Sequence, residues 1–216
     1  MKHSDGRFTG AGGHSIYFQC WAPEVAPTAV ILVAHGAGEH SARYQPLAQF
    51  FTGHNFVVAA LDHTGHGYSE GVPGHVGAFE DYLHDLAVFH RQIAARFADV
   101  PMILLGHSMG GLIACNYLLH HQGEFAAAVL SGAAIKTDLE PGFVQMSLLR
   151  LLAVLVPKLG MLKLEAEGVS RDPDVVRNYV ADPLVYHGKM SARMLRELFA
   201  GMHNLQANAA SISLPI

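Results

Sequence analysis

Five residues constrain this chain more than any others: Gly106-His107-Ser108-Met109-Gly110. They follow an apolar run, residues 102–105, and precede a helix-like stretch, residues 111–119. Strand, Gly-x-Ser-x-Gly, helix is the arrangement that forces a serine onto a sharp turn above a sheet and exposes its hydroxyl as a nucleophile. The serine of such a turn holds a strained backbone. Only small neighbours, here Gly106 and Gly110, let strand and helix come close enough to keep it there.

The rest of the sequence supplies a sheet for that turn. Short aliphatic runs recur at residues 30–34, 57–61, 102–105 and 126–130. Between them lie longer segments of helical period, clearest in Phe79, Tyr82, Leu83, Leu86, Phe89, Ile93 and Phe97. Wholly apolar strands alternating with helices predict a parallel sheet buried on both faces. Residues 15–21 alternate in polarity and are followed by Pro23 and Pro27, which predicts an antiparallel strand at the sheet's edge.

After Gly132 the rhythm breaks. Residues 139–164 are mostly aliphatic, but Arg150, Pro157 and Lys158 interrupt them, so no transmembrane helix is expected. A second helical segment spans residues 191–204, and residues 212–216 read as the beginning of another strand. The expected division is a core over 1–133, a helical cap over 134–208 placed as a lid over Ser108, and the start of a core strand over 209–216.

Composition narrows the function. At 216 residues, half of them hydrophobic, the chain can bury one sizeable core. The net charge is −4 with no basic run, which argues against nucleic acid as a partner. Cys20 and Cys115 read as buried reduced thiols, and no secretory leader is visible, so a cytoplasmic location is expected. Fifteen histidines raise the question of a metal. His63 with His66, and His120 with His121, lack the helical i, i+4 spacing and have no accompanying carboxylate or Cys cluster. No metal and no other cofactor is expected.

In a parallel sheet, functional loops gather at the carboxyl ends of the strands. One such loop is His35-Gly36-Ala37-Gly38-Glu39-His40, whose small residues leave backbone N–H groups free to face a pocket, or simply make a tight turn. Another is the Gly-rich stretch from Asp62 to Gly71. Attack of Ser108 on an acyl carbonyl creates an oxyanion that fixed donors must stabilise. The N–H of Met109, just after the nucleophile, and that of Ala37 are the expected donors. The His35 and His107 side chains, with Gly36, Gly106 and Gly110, are read as support for these loops, because the base of this architecture comes late in the chain.

Four stretches together, HGAGEHSARY (35–44), DHTGHGYSEG (62–71), GHSMGG (106–111) and SRDP with DPL (170–173, 182–184), resemble the monoacylglycerol lipases. That group of α/β-hydrolases also includes lysophospholipases and S33-type serine aminopeptidases. The resemblance runs through nearly the whole chain. It implies an α/β-hydrolase fold and a cytosolic or peripherally membrane-associated esterase. Ser108 would be the nucleophile, Ala37 and Met109 the oxyanion hole, and a lipid ester the substrate. It further implies a cap that covers an acyl tunnel and touches membrane through residues 143–162.

The same resemblance exposes a gap. The order in this fold is Ser, then Asp or Glu, then His. The family's acid and histidine fall after the strand expected near Leu214, and the sequence ends at Ile216. The chain is therefore expected to lack its C-terminal strands and helices, with the strand at 126–130 left as an open edge, and to be inactive or weak alone. Internal substitutes are His187 or His203 folding down from the cap, and Asp138 as an alternative acid. His120 and His121 lie about 18 Å along the helix from Ser108. An aminopeptidase or small-ester hydrolase, and a non-catalytic lipid-binding fragment, remain the alternative functions.

Overall fold

The computed structural model of the protein describes residues 1–137 and 141–216. Its main sheet holds β1 (Lys2–Thr9), β2 (Ser15–Ala22), β3 (Ala29–Ala34), β4 (Phe56–Leu61), β5 (Met102–His107) and β6 (Ala127–Ser131) in the order β1-β2-β4-β3-β5-β6. Strands β3, β4, β5 and β6 run parallel, β2 is antiparallel to β4, and β1 is antiparallel to β2. The helices of this half are α1 (Gln45–Thr52), α2 (Phe79–Arg96) and α3 (Met109–His121).

Every residue of β3 is buried, which its unbroken apolar sequence requires. The pleat sends Val30 and Leu32 to one face, where they pack with Phe79, Leu86 and Phe89 of α2 and Leu112 and Ile113 of α3. Ile31 and Val33 point to the other face and meet Trp21, Val58, Ala60 and α1. The second cluster is much the smaller.

β2 is not the sheet's edge, as its sequence had led us to expect: β1 lies outside it, in register from Lys2 opposite Ala22 to Thr9 opposite Ser15. Only Phe8 of β1 is buried, so the strand shows no alternating apolar face and is held by backbone hydrogen bonds. At the other edge, β6 pairs only with β5 among the described residues, and Val129 is 47% exposed. Residues 212–216, where a strand was expected to begin, touch β6 through one backbone bond, from the Ala128 N–H to the Pro215 carbonyl (2.9 Å). Ser213 and Leu214 donate instead to the Gln122 side chain, and Pro215 has no N–H for a ladder.

The remaining segment contains α4 (Phe143–Leu155), β7 (Gly160–Lys163), α5 (Pro173–Ala181), β8 (Lys189–Ser191) and α6 (Ala192–Asn208), with β7 and β8 in a short antiparallel ribbon. α6 packs into the main core. Ser191 caps it by accepting from the Met194 N–H, Asn116 of α3 donates to the Gly201 carbonyl, and Asn204 donates back to Asn116. α4 is the opposite case: Phe143 is 86% exposed and Val144 78%, with Leu148, Leu151, Val154 and Leu155 also exposed. Among the described residues no helix is long and apolar enough to cross a membrane.

Candidate active site

Ser108 sits between β5 and α3 with φ 51° and ψ −117°. Only Asn55 and Asp99 share a positive φ among the described non-glycine residues, and those two types tolerate the left-handed region. The ψ of Ser108 takes it outside that region, a conformation that costs on the order of 1–3 kcal/mol and persists only where surrounding contacts impose it. Those contacts are present. The Ser108 N–H donates to the Ser131 carbonyl at the end of β6 (3.0 Å). Its own carbonyl accepts from Gly111, Leu112 and Ala134 (2.9–3.2 Å). A Cβ on Gly106 would lie 2.6 Å from the Gly110 carbonyl oxygen, and one on Gly110 would run into the Ala34 and His35 carbonyls. Both glycines are required by close approach of backbone to backbone.

The loop after β3 packs against this turn: a Cβ on Gly36 would lie 3.2 Å from that of Ser108. His35 is fully buried. Its Nε2 accepts from the His63 N–H (2.9 Å), so its proton is on Nδ1 and donates to the Gly36 carbonyl (2.8 Å). Burial keeps the His35 ring below its ordinary pKa, in the neutral form that this pattern needs. The Ala37 and Met109 N–H groups donate to no other group of the described chain. Ala37, Met109 and Ser108 are thus brought together with two backbone donors unspent.

The loop that follows β4 is scaffolding. Asp62 accepts from the Ser41 and Tyr68 N–H groups (2.7 and 2.8 Å) and Ser69 donates to its carbonyl. His63 packs tilted against His35 and His66 packs edge-on, at 4.5 and 5.2 Å between ring centres. Burial pushes the His66 pKa down to about 4 and drives that of His63 well below its ordinary value. Among the described residues no group of three or more His, Cys, Asp or Glu is placed to hold a metal.

The loop after β3 and the segment after β6 together line a cavity of about 370 Å³ whose walls include Gly36, Ala37, Ser108, Leu164, Val169 and Tyr179. The seam between them is polar. The Tyr186 N–H donates to the Gly38 carbonyl (2.8 Å), His40 pairs with Asp182 (2.9 Å), and the Arg43 guanidinium lies 4.8 Å over the Tyr179 ring. Glu39, which sequence reasoning quoted only as part of a motif, also lines the cavity. It accepts from the Gly36 N–H (2.6 Å), the Tyr44 hydroxyl (2.8 Å) and Arg43 Nε (3.3 Å). Burial alone would raise its carboxyl. The donors from Gly36 and Tyr44 outweigh that and hold the acid below its ordinary pKa.

No side chain among the described residues hydrogen-bonds the Ser108 hydroxyl. His107 bonds through Nδ1 to the Ser131 carbonyl (2.8 Å), and His35 has both nitrogens occupied. His120 and His121 lie at the far end of α3, where His121 binds Glu124. His187 packs edge-on against Tyr179, 5.6 Å between ring centres, and His203 lies within α6. Asp138 falls outside the described residues.

The family model described as "Serine aminopeptidase, S33" matches residues 25–216. The chain belongs to that family. Among its relatives, a monoacylglycerol lipase of Mycolicibacterium smegmatis is 37% identical across 99% of this chain and 76% of its own length. A monoglyceride lipase homolog of Monkeypox virus is 33% identical over 93% of this chain and 72% of its own. The crystal structure of Paleococcus ferrophilus monoacylglycerol lipase superposes with a TM-score of 0.80 at 28% identity, covering 93% of this chain and 75% of that one. The fold is that of the α/β-hydrolases, as the four sequence motifs implied.

Proposed function

We propose that this site hydrolyses carboxylic esters of lipids, of the monoacylglycerol or lysophospholipid kind, through an acyl-enzyme on Ser108. The observation that carries the reading is the strained Ser108 turn on the cavity wall, with the unspent N–H groups of Ala37 and Met109 beside it. In this mechanism the Ser108 oxygen attacks the ester carbonyl and its proton passes to a base. The two N–H groups hold the oxyanion, and the alcohol leaves carrying that proton. Water then attacks the acyl-serine, releasing the fatty acid and restoring the hydroxyl. No described side chain bonds the Ser108 hydroxyl, so the reading names no base or orienting acid among the described residues.

A lipid substrate is supported by the relatives' names and by the apolar cap. The exposed face of α4 continues through Leu159, Met161 and Leu162, and we propose it as the peripheral membrane contact. One observation favours a second reading, cleavage next to a free amino group: Glu165 lines the cavity and forms no ion pair with any described residue, so it could hold an ammonium.

Intact-mass spectrometry with a fluorophosphonate probe tests the mechanism. A single adduct that disappears in Ser108→Ala supports the acyl-enzyme. No adduct on the 216-residue chain, with rapid labelling of a longer one, supports a base and acid outside it. A rapid adduct on the 216-residue chain places both inside. Matched ester and aminoacyl-anilide substrates then separate the two readings, and fatty-acid binding without any adduct would favour a lipid-binding fragment.

A further inference from the structure

The Ala37 N–H belongs to the peptide that joins it to Gly36. In a trans peptide, carbonyl and N–H point in opposite directions across one plane, so whatever fixes the Gly36 carbonyl aims the Ala37 N–H. His35 fixes that carbonyl through Nδ1. One pinned oxygen orients that plane only if Gly36 Cα itself stays in place, and Gly36 has no side chain to hold it. A side chain there would be crowded, with a Cβ on Gly36 3.0 Å from Glu39 Oε1 and 3.2 Å from Ser108 Cβ. Stiffness at this position must come from outside the residue.

We propose that Glu39 is the positioning residue that supplies it. The carboxylate takes the Gly36 N–H at 2.6 Å, so both polar groups of Gly36 are held, one by His35 and one by Glu39. With the preceding peptide plane held by Glu39 and the following one by His35, Gly36 Cα is fixed between them and the Ala37 N–H keeps one orientation. A flexible acid could not do this unaided, and Glu39 is itself gripped: Tyr44 donates to the oxygen that Gly36 uses, and Arg43 Nε reaches the other. Arg43 is steadied in turn by the Tyr179 ring of α5. The grip answers a second need. A bare carboxylate beside a forming oxyanion would oppose it, and the Arg43 charge and Tyr44 hydroxyl withdraw that field from the cavity. The inference rests on the acyl-enzyme reading for its catalytic meaning, while the clamp itself is a statement about two hydrogen bonds.

The test therefore has two arms. In the first, phosphonylation of Ser108 is timed for the parent, Glu39→Ala, Glu39→Gln and Tyr44→Phe. Loss of a whole oxyanion donor costs about 10²–10³-fold in rate. A donor released to rock should cost at least tenfold in the limiting rate for Glu39→Ala, with probe affinity within about twofold of the parent. Glu39→Gln keeps an oxygen for the Gly36 N–H and should recover most of that loss, and Tyr44→Phe should fall between. A packing defect would instead lower the melting point of all three without rescue by Gln. Equal limiting rates in parent and Glu39→Ala overturn the proposal.

The second arm reads the clamp without chemistry. In ¹⁵N-labelled protein the Gly36 amide proton, in a short bond to a carboxylate, should lie well downfield and exchange slowly. In Glu39→Ala it should move upfield and exchange faster, with the Ala37 resonance shifting too, and Glu39→Gln should retain it. A Gly36 resonance that ignores Glu39→Ala overturns the proposal even if no variant labels. If neither the 216-residue chain nor a longer one labels but the Gly36 signature is present and Glu39-dependent, the clamp stands and the acyl-enzyme reading falls.

Discussion

Replacing Ser108 by glycine should stabilise the protein while destroying its nucleophile. The Ser108 conformation costs on the order of 1–3 kcal/mol for a residue with a side chain and almost nothing for glycine. Against this stands the greater freedom of glycine in the unfolded chain, about 0.5–1 kcal/mol. The net gain is about 0–2.5 kcal/mol, centred near 1, which for a chain of this size raises the melting point by roughly 2–4 °C. Ser108→Ala keeps a Cβ, and with it the strain, so its melting point should stay near that of the parent. The comparison isolates strain because both variants lack the hydroxyl. Differential scanning calorimetry of the three proteins at one pH measures it. If Ser108→Gly melts no higher than Ser108→Ala, the turn stores no strain and the argument from its dihedral angles is wrong.

Gly110→Ala should do the reverse, destabilising by about 3 kcal/mol because the new methyl meets backbone carbonyls that cannot withdraw; a melting point within 2–3 °C of the parent would contradict this. Leu151→Glu with Leu155→Glu should abolish sedimentation with anionic or neutral vesicles yet leave the urea midpoint unchanged, since both side chains are already exposed. Vesicle binding that survives the pair would move the membrane contact elsewhere. Acid should unfold the protein through its buried rings. His66 has a folded pKa of about 4, below the unfolded value near 6.5, so the unfolded chain binds the extra proton and stability is lost as pH falls through that window. For His66 alone this amounts to about 2 kcal/mol between pH 6.5 and 5. Urea midpoints measured at the two pH values for the parent and for His66→Asn check it; equal pH slopes would show that His66 is not the group responsible.

How much of this was legible in the sequence follows the range of the forces involved. β3, β4 and β5 could be read directly because a strand covered on both faces must be apolar at every position, and that pattern is local. The Ser108 turn was legible for the same reason, its glycines lying within two residues of the serine. β1 was not, because one buried residue in eight leaves no period to find, and its partner is chosen by backbone bonds. The β7–β8 ribbon escaped notice because its strands are short and mostly exposed. The importance of Glu39 lay hidden for another reason. Its partners Gly36, Arg43 and Tyr44 are sequence neighbours, but nothing in their spacing says that a glutamate will fold back onto the loop that carries it. Asp182 and His40 both sit in quoted motifs, but nothing local says that they meet across 142 positions.

The Ser108 backbone hangs from Ser131 and Ala134, residues at and just beyond the end of β6, and β6 is the outermost strand of the described sheet on that side. The strained serine is thereby anchored to one rim of the sheet. Edge strands open more readily than interior ones, and each opening would slacken the hold on the serine. Reactivity here should thus follow the order of the rim: a ligand, chain segment or second molecule laid along β6 would tighten the nucleophile without coming near the substrate.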